Sequence, residues 1–320
     1  MKYESKDAKK LHKGRKFSYD INKVYHSKYI DKKTGKFLSK LTKQRNCPVC
    51  DSSKYIPIFN KSGGIYAKCT NCTMIFVNPV FKDEALDEYY KNLNTGQALI
   101  VENESSFYTE IYSKGLALIS KSLRKGKLLD IGCSSGFFLD IAKKKGWETY
   151  GIELGEIEAK MCQKKGHILY TKKLEELDLD IKFDVITLWD VFEHLPDGKK
   201  QLKLFKSKLS PNGVIFIQIP NSNGLAPRVL REKCNMYDGV EHVNIYNPKT
   251  IKLIAEKMGL KIAHMETVIS EIAVLNNYLS YEDAYFGSSD YDRDLLDILN
   301  AEFLHKNLLG YKMQIVLKSS

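Results

Sequence analysis

Four cysteines, two Glu-His pairs and one glycine-rich loop are the places where residue type and spacing in this chain point to chemistry. Cys47-Pro48-Val49-Cys50 and Cys69-Thr70-Asn71-Cys72 are two Cys-x-x-Cys knuckles with 18 residues between them. Four thiolates so spaced can close a tetrahedron on Zn2+, and with every position taken none is left for substrate, so the expected role is structural. A redox dithiol or an iron site of four cysteines would use the same ligands, although paired knuckles at ribbon spacing argue against the dithiol. Asp130-Ile131-Gly132-Cys133-Ser134-Ser135-Gly136 ends an apolar run and opens at once into a helix at Phe137. Small side chains and outward-pointing N–H groups at such a turn make a cradle for a polar ligand. Glu153, at the end of the next apolar run, is placed to accept hydrogen bonds from a ribose diol. Asp190, Glu193 and His194 stand at i, i+3 and i+4, one face of a helical turn. Glu241-His242, with Tyr246 four residues on, offers a histidine able to take a proton from a hydroxyl or from a carbon beside a carbonyl. His242 is the candidate base, and Glu241 and Tyr246 its candidate orienting partners.

The elements that must position these groups follow from periodicity. Strands are expected at 127–131, 147–153, 167–170, 183–189, 213–219, 260–266 and 311–318, and helices at 137–145, 155–165 and 248–258. Alternation of this kind implies an α/β architecture, a doubly wound, mostly parallel, Rossmann-like seven-stranded sheet with ligands at the carboxyl ends of its strands. Around the cysteines, 56–59 and 65–67 read as short strands of a ribbon turning at Gly63-Gly64. Asn247 is a helix cap with Pro248 in the first turn. The expected organisation is a basic arm at 1–45, a zinc ribbon at 46–80, a helical cap or linker at 81–125, and a catalytic domain at 126–320 with a Tyr-rich helical insertion near 270–310. Tyr89, Tyr90, Phe107 and Tyr108 are candidate cleft-lining aromatics of the cap.

Charge is uneven. Residues 1–45 hold 15 Lys and Arg against 4 Asp and Glu, which is the whole of the chain's net +11. The remaining 275 residues hold 35 of each sign, which weakens a simple nucleic-acid reading. The arm suits an anionic partner or a solvated tail. No apolar run is long enough for a membrane span, and cysteines spaced for metal suit a reducing compartment, so a cytoplasmic location is expected.

The glycine loop departs from the dinucleotide fingerprint, because Ser134 holds the middle position and the last glycine comes one residue early. Gly132-Cys133-Ser134-Ser135-Gly136 also fits a nucleophile elbow, which would leave Asp130 and Glu153 unexplained. The loop with Glu153 and the strand Asp184-Val185-Ile186-Thr187-Leu188-Trp189-Asp190-Val191-Phe192-Glu193-His194-Leu195-Pro196 resembles class I S-adenosylmethionine (SAM)-dependent methyltransferases. The zinc ribbon and Glu241-His242-Val243-Asn244-Ile245-Tyr246 resemble a subgroup acting on deoxysugar nucleotides. The resemblance covers about residues 45–265. It implies cofactor contacts from Asp130, Gly132, Cys133, Ser134, Gly136, Phe137, Glu153, Leu154, Leu174, Trp189 and Asp190, and a general-base role for His242 with His194 nearby. Some relatives hold a divalent ion at the positions of Asp190, Glu193 and His194; hydrogen-bonded support of the cofactor loop is the alternative use of Glu193 and His194. The implied function is methyl transfer to a small polar acceptor, a nucleotide-linked sugar or surface-polysaccharide precursor being favoured. An RNA methyltransferase and a non-catalytic SAM-fold binding protein are the alternatives. Strand 183–189 lacks an Asn-Pro-Pro-Tyr-like base-methylating motif, which disfavours RNA. Oligomeric state is not legible.

Overall fold

A computed structural model describes residues 24–92, 104–121, 125–272 and 300–319, together with positions 101, 123 and 275. The first 23 residues of the basic arm and the tyrosines at 278, 281, 285 and 291 lie outside the described residues.

The N-terminal part is a set of short strands. β1 (Thr42–Lys43) pairs antiparallel with β5 (Val80–Phe81), and β2 (Tyr55–Lys61), β3 (Gly64–Cys69) and β4 (Ile75–Val77) form an antiparallel ribbon. Within 24–45 the expectation of a solvated arm is corrected. Tyr29 and Phe37 are buried, Phe37 stacks on Phe81 at 4.4 Å, and Tyr29 meets both Phe81 and Tyr89. Aromatic rings interleaved with the lysines find an apolar surface here, and their burial outweighs the solvation of the intervening charges.

The larger sheet contains β6 (Lys127–Ile131), β7 (Glu148–Ile152), β8 (Ile168–Tyr170), β9 (Phe183–Trp189), β10 (Leu209–Pro220), β12 (Leu260–Val268) and β13 (Lys312–Ser319). Its order is β12-β13-β10-β9-β6-β7-β8, with β13 antiparallel to both neighbours and the other pairings parallel. The sheet is thus mixed, and the chain order reverses between β6 and β9. β9 is buried along nearly all its length, as its mostly apolar sequence, broken only by Asp184 and Thr187, suits a central strand. Helix Gly198–Lys208, absent from the sequence reading, is capped by Asp197, whose side chain accepts from Lys200 N at 3.0 Å. It buries only Gly198, Leu202 and Phe205, and its other positions are largely lysine. Helix Pro248–Lys257 has the expected Asn247 cap, completed by Thr250 as a capping box.

One small strand joins the two sheets. β11 (Asn244–Ile245) comes from the catalytic half of the chain but pairs with β4, placing it on the edge of the ribbon. Arg45 locks the junction. Its guanidinium donates to the carbonyls of Val77, Pro196 and Val243 and to Asn244 Oδ1, at 2.8–3.1 Å. Among the described residues no helix is long and apolar enough to cross a membrane.

Candidate active site

At the order switch, β6 delivers the glycine loop. Gly132, Ser134 and Gly136 all have positive φ, a left-handed path that turns the chain sharply into helix Phe137–Lys144. A Cβ on Gly132 would lie 2.7 Å from Val191 Cγ2, so the loop leaving β9 rests directly on the glycine loop. Glu153 accepts from Ser134 N at 2.8 Å and from Gly155 N at 2.7 Å, one bond to each carboxylate oxygen. Burial raises its pKa against those N–H groups. Each oxygen keeps a lone pair, so the carboxylate can brace the loop and still receive a ribose hydroxyl. Asp130 is buried with Thr187 Oγ1 at 2.6 Å, and burial holds its pKa well above the usual carboxylate range despite that bond. Cys133 is also buried, its sulfur 3.9 Å from that of Cys162, as a small packing residue would be. Phe137 opens the helix half-buried. Leu154 is exposed beside Glu153, whereas Leu174 lies inside the apolar core.

Two further expected cofactor contacts stand at the end of β9. The Trp189 ring packs in the core against Tyr112, Phe138 and Phe216 at 4.5–5.0 Å, beneath the cleft. Asp190, at φ +55°, turns to Lys312 and Gln218 at the ends of β13 and β10. That turn also removes Asp190 from the face it was expected to share with Glu193 and His194. The chain forms a 3-10 turn at Phe192–His194, so a divalent-ion set of Asp190, Glu193 and His194 is not assembled.

The four knuckle cysteines do converge. Their sulfurs lie within 4.8 Å of one another, with Cys47–Cys72 at 3.4 Å and Cys50–Cys69 at 3.5 Å, and all are free thiols. A tetrahedron of sulfurs around zinc has edges of about 3.8 Å. The donor set therefore fits one ion.

A second cluster forms where β11 brings residues 236–245 against the turn after β9. His242 Nδ1 lies 2.7 Å from the Met236 carbonyl oxygen and 3.6 Å from Asp238 Oδ2, and Nε2 lies 3.9 Å from Glu193 Oε1. Asp238 Oδ1 also accepts from the N–H groups of Val240, Glu241 and His242, folding this stretch into a tight turn. Tyr66 fastens the turn to the ribbon, donating to the His242 carbonyl and accepting from Gly239 N, both at 3.1 Å. At Gly239 (φ +90°) a Cβ would strike the Lys61 carbonyl at 1.9 Å, so only glycine permits this approach. Glu193 is fully buried with neither oxygen hydrogen-bonded among the described residues, which corrects its expected role as a hydrogen-bonded buttress. Burial, then the charge of Asp190, pushes its pKa up to about 8. The His194 ring meets that of His242 edge-on at 4.9 Å, and its Nδ1 lies 3.1 Å from the Tyr90 hydroxyl. Burial, then His242, pushes the pKa of His194 down to about 3. Burial also opposes charge on His242, but Asp238 and Glu193 outweigh it and its pKa rises. Asp238 is lowered, burial being outweighed by His242 and the N–H groups.

Of the two expected partners of His242, Tyr246 is not one. Its ring stacks on Phe192 at 5.1 Å, and its buried hydroxyl meets no partner among the described residues, so it supports the Phe192–His194 turn from below. Glu241 turns to the Tyr89 hydroxyl at 3.0 Å. Burial, then Asp238, raises its pKa to about 7. Tyr89 and Tyr90, expected among the cleft-lining aromatics, do join this cluster, whereas the sequence reading does not reach Asp238 and His26.

A family model described as a methyltransferase domain matches residues 105–265, half of this chain. A ubiquinone biosynthesis O-methyltransferase of Pasteurella multocida is 30% identical over 151 residues, 42% of this chain and 60% of that protein. One from Stutzerimonas stutzeri is 27% identical over 112 residues, 32% of this chain and 47% of that protein. This chain therefore spans about half of the length of these curated relatives. Among solved structures, the plantazolicin methyltransferase BpumL in complex with SAH superposes with TM-score 0.50 at 15% identity, covering 73% of this chain and 94% of that one. A chain of a Haloferax volcanii complex between the Trm112 methyltransferase activator and a methyltransferase gives TM-score 0.50 at 12% identity, covering 73% and 97%. At these identities the structures speak for the fold alone.

Proposed function

The chain belongs to the methyltransferase-domain family and has a Rossmann-like α/β fold; on that premise we propose that it is a SAM-dependent methyltransferase that methylates a hydroxyl of a small polar acceptor, with His242 as general base. The observation that carries this reading is the hydrogen bond between His242 Nδ1 and the Met236 carbonyl at 2.7 Å. A carbonyl oxygen only accepts, so the neutral ring keeps its proton on Nδ1 and its lone pair on Nε2. Asp238, whose carboxylate is favoured in its charged form, raises its basicity. When bound, SAM supplies an electrophilic methyl carbon on a sulfonium. The loop at Asp130, Gly132, Cys133, Ser134, Gly136 and Phe137 would hold it, with Glu153 on the ribose. His242 Nε2 then takes the hydroxyl proton as the acceptor oxygen bonds to the methyl carbon and the carbon–sulfur bond breaks. Removal of an acidic proton from a carbon beside a carbonyl would use the same base. The protein's share is to hold the nucleophile in line and receive its proton.

Cys47, Cys50, Cys69 and Cys72 are proposed to hold a structural zinc in a ribbon at about 46–80. The acceptor favoured is a nucleotide-linked sugar or surface-polysaccharide precursor, on the likeness of the ribbon and the Glu241-His242 segment to methyltransferases of that class. A second reading, a phenolic hydroxyl of a quinone precursor, is favoured by the names of the curated relatives. A divalent ion shared by Glu193, His194 and His242, whose ligand atoms lie within 4.8 Å, would occupy the lone pair the base needs. The base reading therefore excludes it.

Calorimetric titration with SAM and its demethylated product, then with nucleotide-diphosphate sugars, catechols and a short RNA, tests the proposal. SAM binding with a sugar-nucleotide or catechol signal supports the reading and selects the acceptor class. Salt-sensitive RNA binding would move the acceptor to a macromolecule, and no SAM binding would overturn the cofactor assignment.

A further inference from the structure

Residues 24–29 pack on Tyr89 and through it reach Glu241 beside His242, although nothing in their sequence marks them as functional. His26 is 8% exposed and its Nε2 lies 2.5 Å from the Tyr89 hydroxyl, which in turn lies 3.0 Å from Glu241 Oε1. Tyr89 is fully buried, held between the rings of Tyr25 and Tyr29, and the Tyr25 hydroxyl donates to its carbonyl at 3.2 Å. We propose that His26 is a positioning residue of the active site, acting through Tyr89 on Glu241, so that the segment around residues 24–29 completes a site otherwise built by the sheet and the ribbon. This rests on the reading that Glu241 and His242 face the acceptor.

The Tyr89 hydroxyl has a single proton and stands between a carboxyl group and an imidazole. With Glu241 ionised, Tyr89 donates to Oε1, its oxygen must then accept, and His26 donates from Nε2. Oε2 is left, among the described residues, for a donor on the acceptor molecule. With Glu241 protonated every bond in the chain reverses, and the Tyr89 hydroxyl donates to the lone pair on His26 Nε2. The charge on Glu241 and the tautomer of His26 are thus one variable. A hydroxyl that accepts a hydrogen bond is also a stronger donor, so His26 reinforces the ionised form of Glu241. Asp238, His242 and Tyr90 also face Glu241, and Asp238 faces His26. Because the Glu241 carboxylate attracts the protonated ring of His242, a change at His26 is felt at the base.

The test is an NMR pH titration of the full chain labelled with 15N-histidine, the His26 and His242 signals being assigned from His26→Gln and His242→Gln. Tyr89→Phe is expected to lower the His242 midpoint by about one pH unit. His26→Ala should lower it by a smaller amount, and His26→Gln, whose amide can still donate to Tyr89, should restore it. Affinity for SAM should stay unchanged in all three. If His26→Ala does not fold, His26→Leu against His26→Gln, a pair of similar size that differs in the donor, makes the same comparison. A His242 midpoint unmoved by Tyr89→Phe and by loss of the His26 donor would overturn the proposal. The titration needs no acceptor, so a His242 that responds as expected yet proves dispensable for methyl transfer would count against the base assignment alone.

Discussion

Glu193→Gln tests the electrostatics of the site most directly, because the carboxyl group it removes is fully buried with no hydrogen bond among the described residues. Burial, with Asp190, moves the pKa of Glu193 from near 4.5 to about 8 in the folded protein. The sign follows from proton counting. Below pH about 4.5 the folded and unfolded states both carry the proton, and nothing is lost. Between the two values the folded state holds a proton that the unfolded state has released, so stability falls as pH rises. Above the folded value the loss is complete and constant. A shift of this size corresponds to about 3–5 kcal/mol, allowing for relaxation of the neighbours. Glutamine keeps the shape and removes the titration. The variant should therefore gain on the wild type as pH rises from 5 to 9, by about 5 °C or more in Tm. Thermal unfolding followed by circular dichroism at each pH gives the difference directly, and its pH dependence is free of any constant packing change. His242 titrates in both proteins and contributes little to the difference, beyond the part of its upward shift that Glu193 supplies. A Tm difference that stays flat from pH 5 to 9 would refute the argument that this carboxyl is held neutral by burial.

Three further outcomes are expected. Glu153→Ala removes the acceptor of two backbone N–H groups at the cofactor loop; SAM affinity measured by calorimetry should fall about 10-fold or more, with the fold retained by circular dichroism. His242→Gln should bind SAM as the wild type does and lose about 100- to 10,000-fold in turnover, measured by transfer of labelled methyl once the calorimetric panel has supplied an acceptor. Cys69→Ser should abolish stoichiometric zinc, read by metal analysis, and lower Tm at the same time. Because β4 carries β11, the histidine signal of His242 should shift in that variant too; an unchanged His242 environment would show that the ribbon and the base are independent.

The core of the sheet was legible because its signals are local. A mostly apolar strand such as β9 announces burial on both faces, and the turn from Asp130 to Gly136 shows in residue size alone. The cysteine knuckles were legible for a similar reason: their spacing is itself the geometry. Helix Gly198–Lys208 was missed because three apolar side chains, Leu202, Leu204 and Phe205, bunched among lysines give a weak period. Asp190 was misplaced because a single positive φ breaks the helical spacing that i, i+3, i+4 assumes, and its partner Lys312 comes from a strand 122 residues away. Tyr246 is a candidate partner of His242 on resemblance, whereas its ring is taken up by Phe192. His26 was out of reach, since the element that gives it meaning is Tyr89 and no periodicity links the two.

The position of β11 explains why residues so distant in sequence make one cluster. The loop carrying Asp238, Glu241 and His242 is pinned by Met236, Tyr237, Val240 and Val243, all buried in one apolar cluster with Tyr66 and Val77 of the ribbon. Pairing Asn244 and Ile245 with β4 gives the loop a fixed edge, and Tyr66 and Arg45 tie the backbone on either side of His242 to the ribbon. The ribbon in turn has little core of its own, so the four cysteines, closing on one ion, would be its main source of rigidity. The sheet fixes the other half: Val191 rests on Gly132, and two residues later Glu193 faces His242. Base and cofactor loop are thus held by separate modules that meet at the turn after β9. A hydrogen-bonding error of about 1 Å there is enough to spoil an in-line transfer, so a folded ribbon is a requirement of the chemistry as much as of stability.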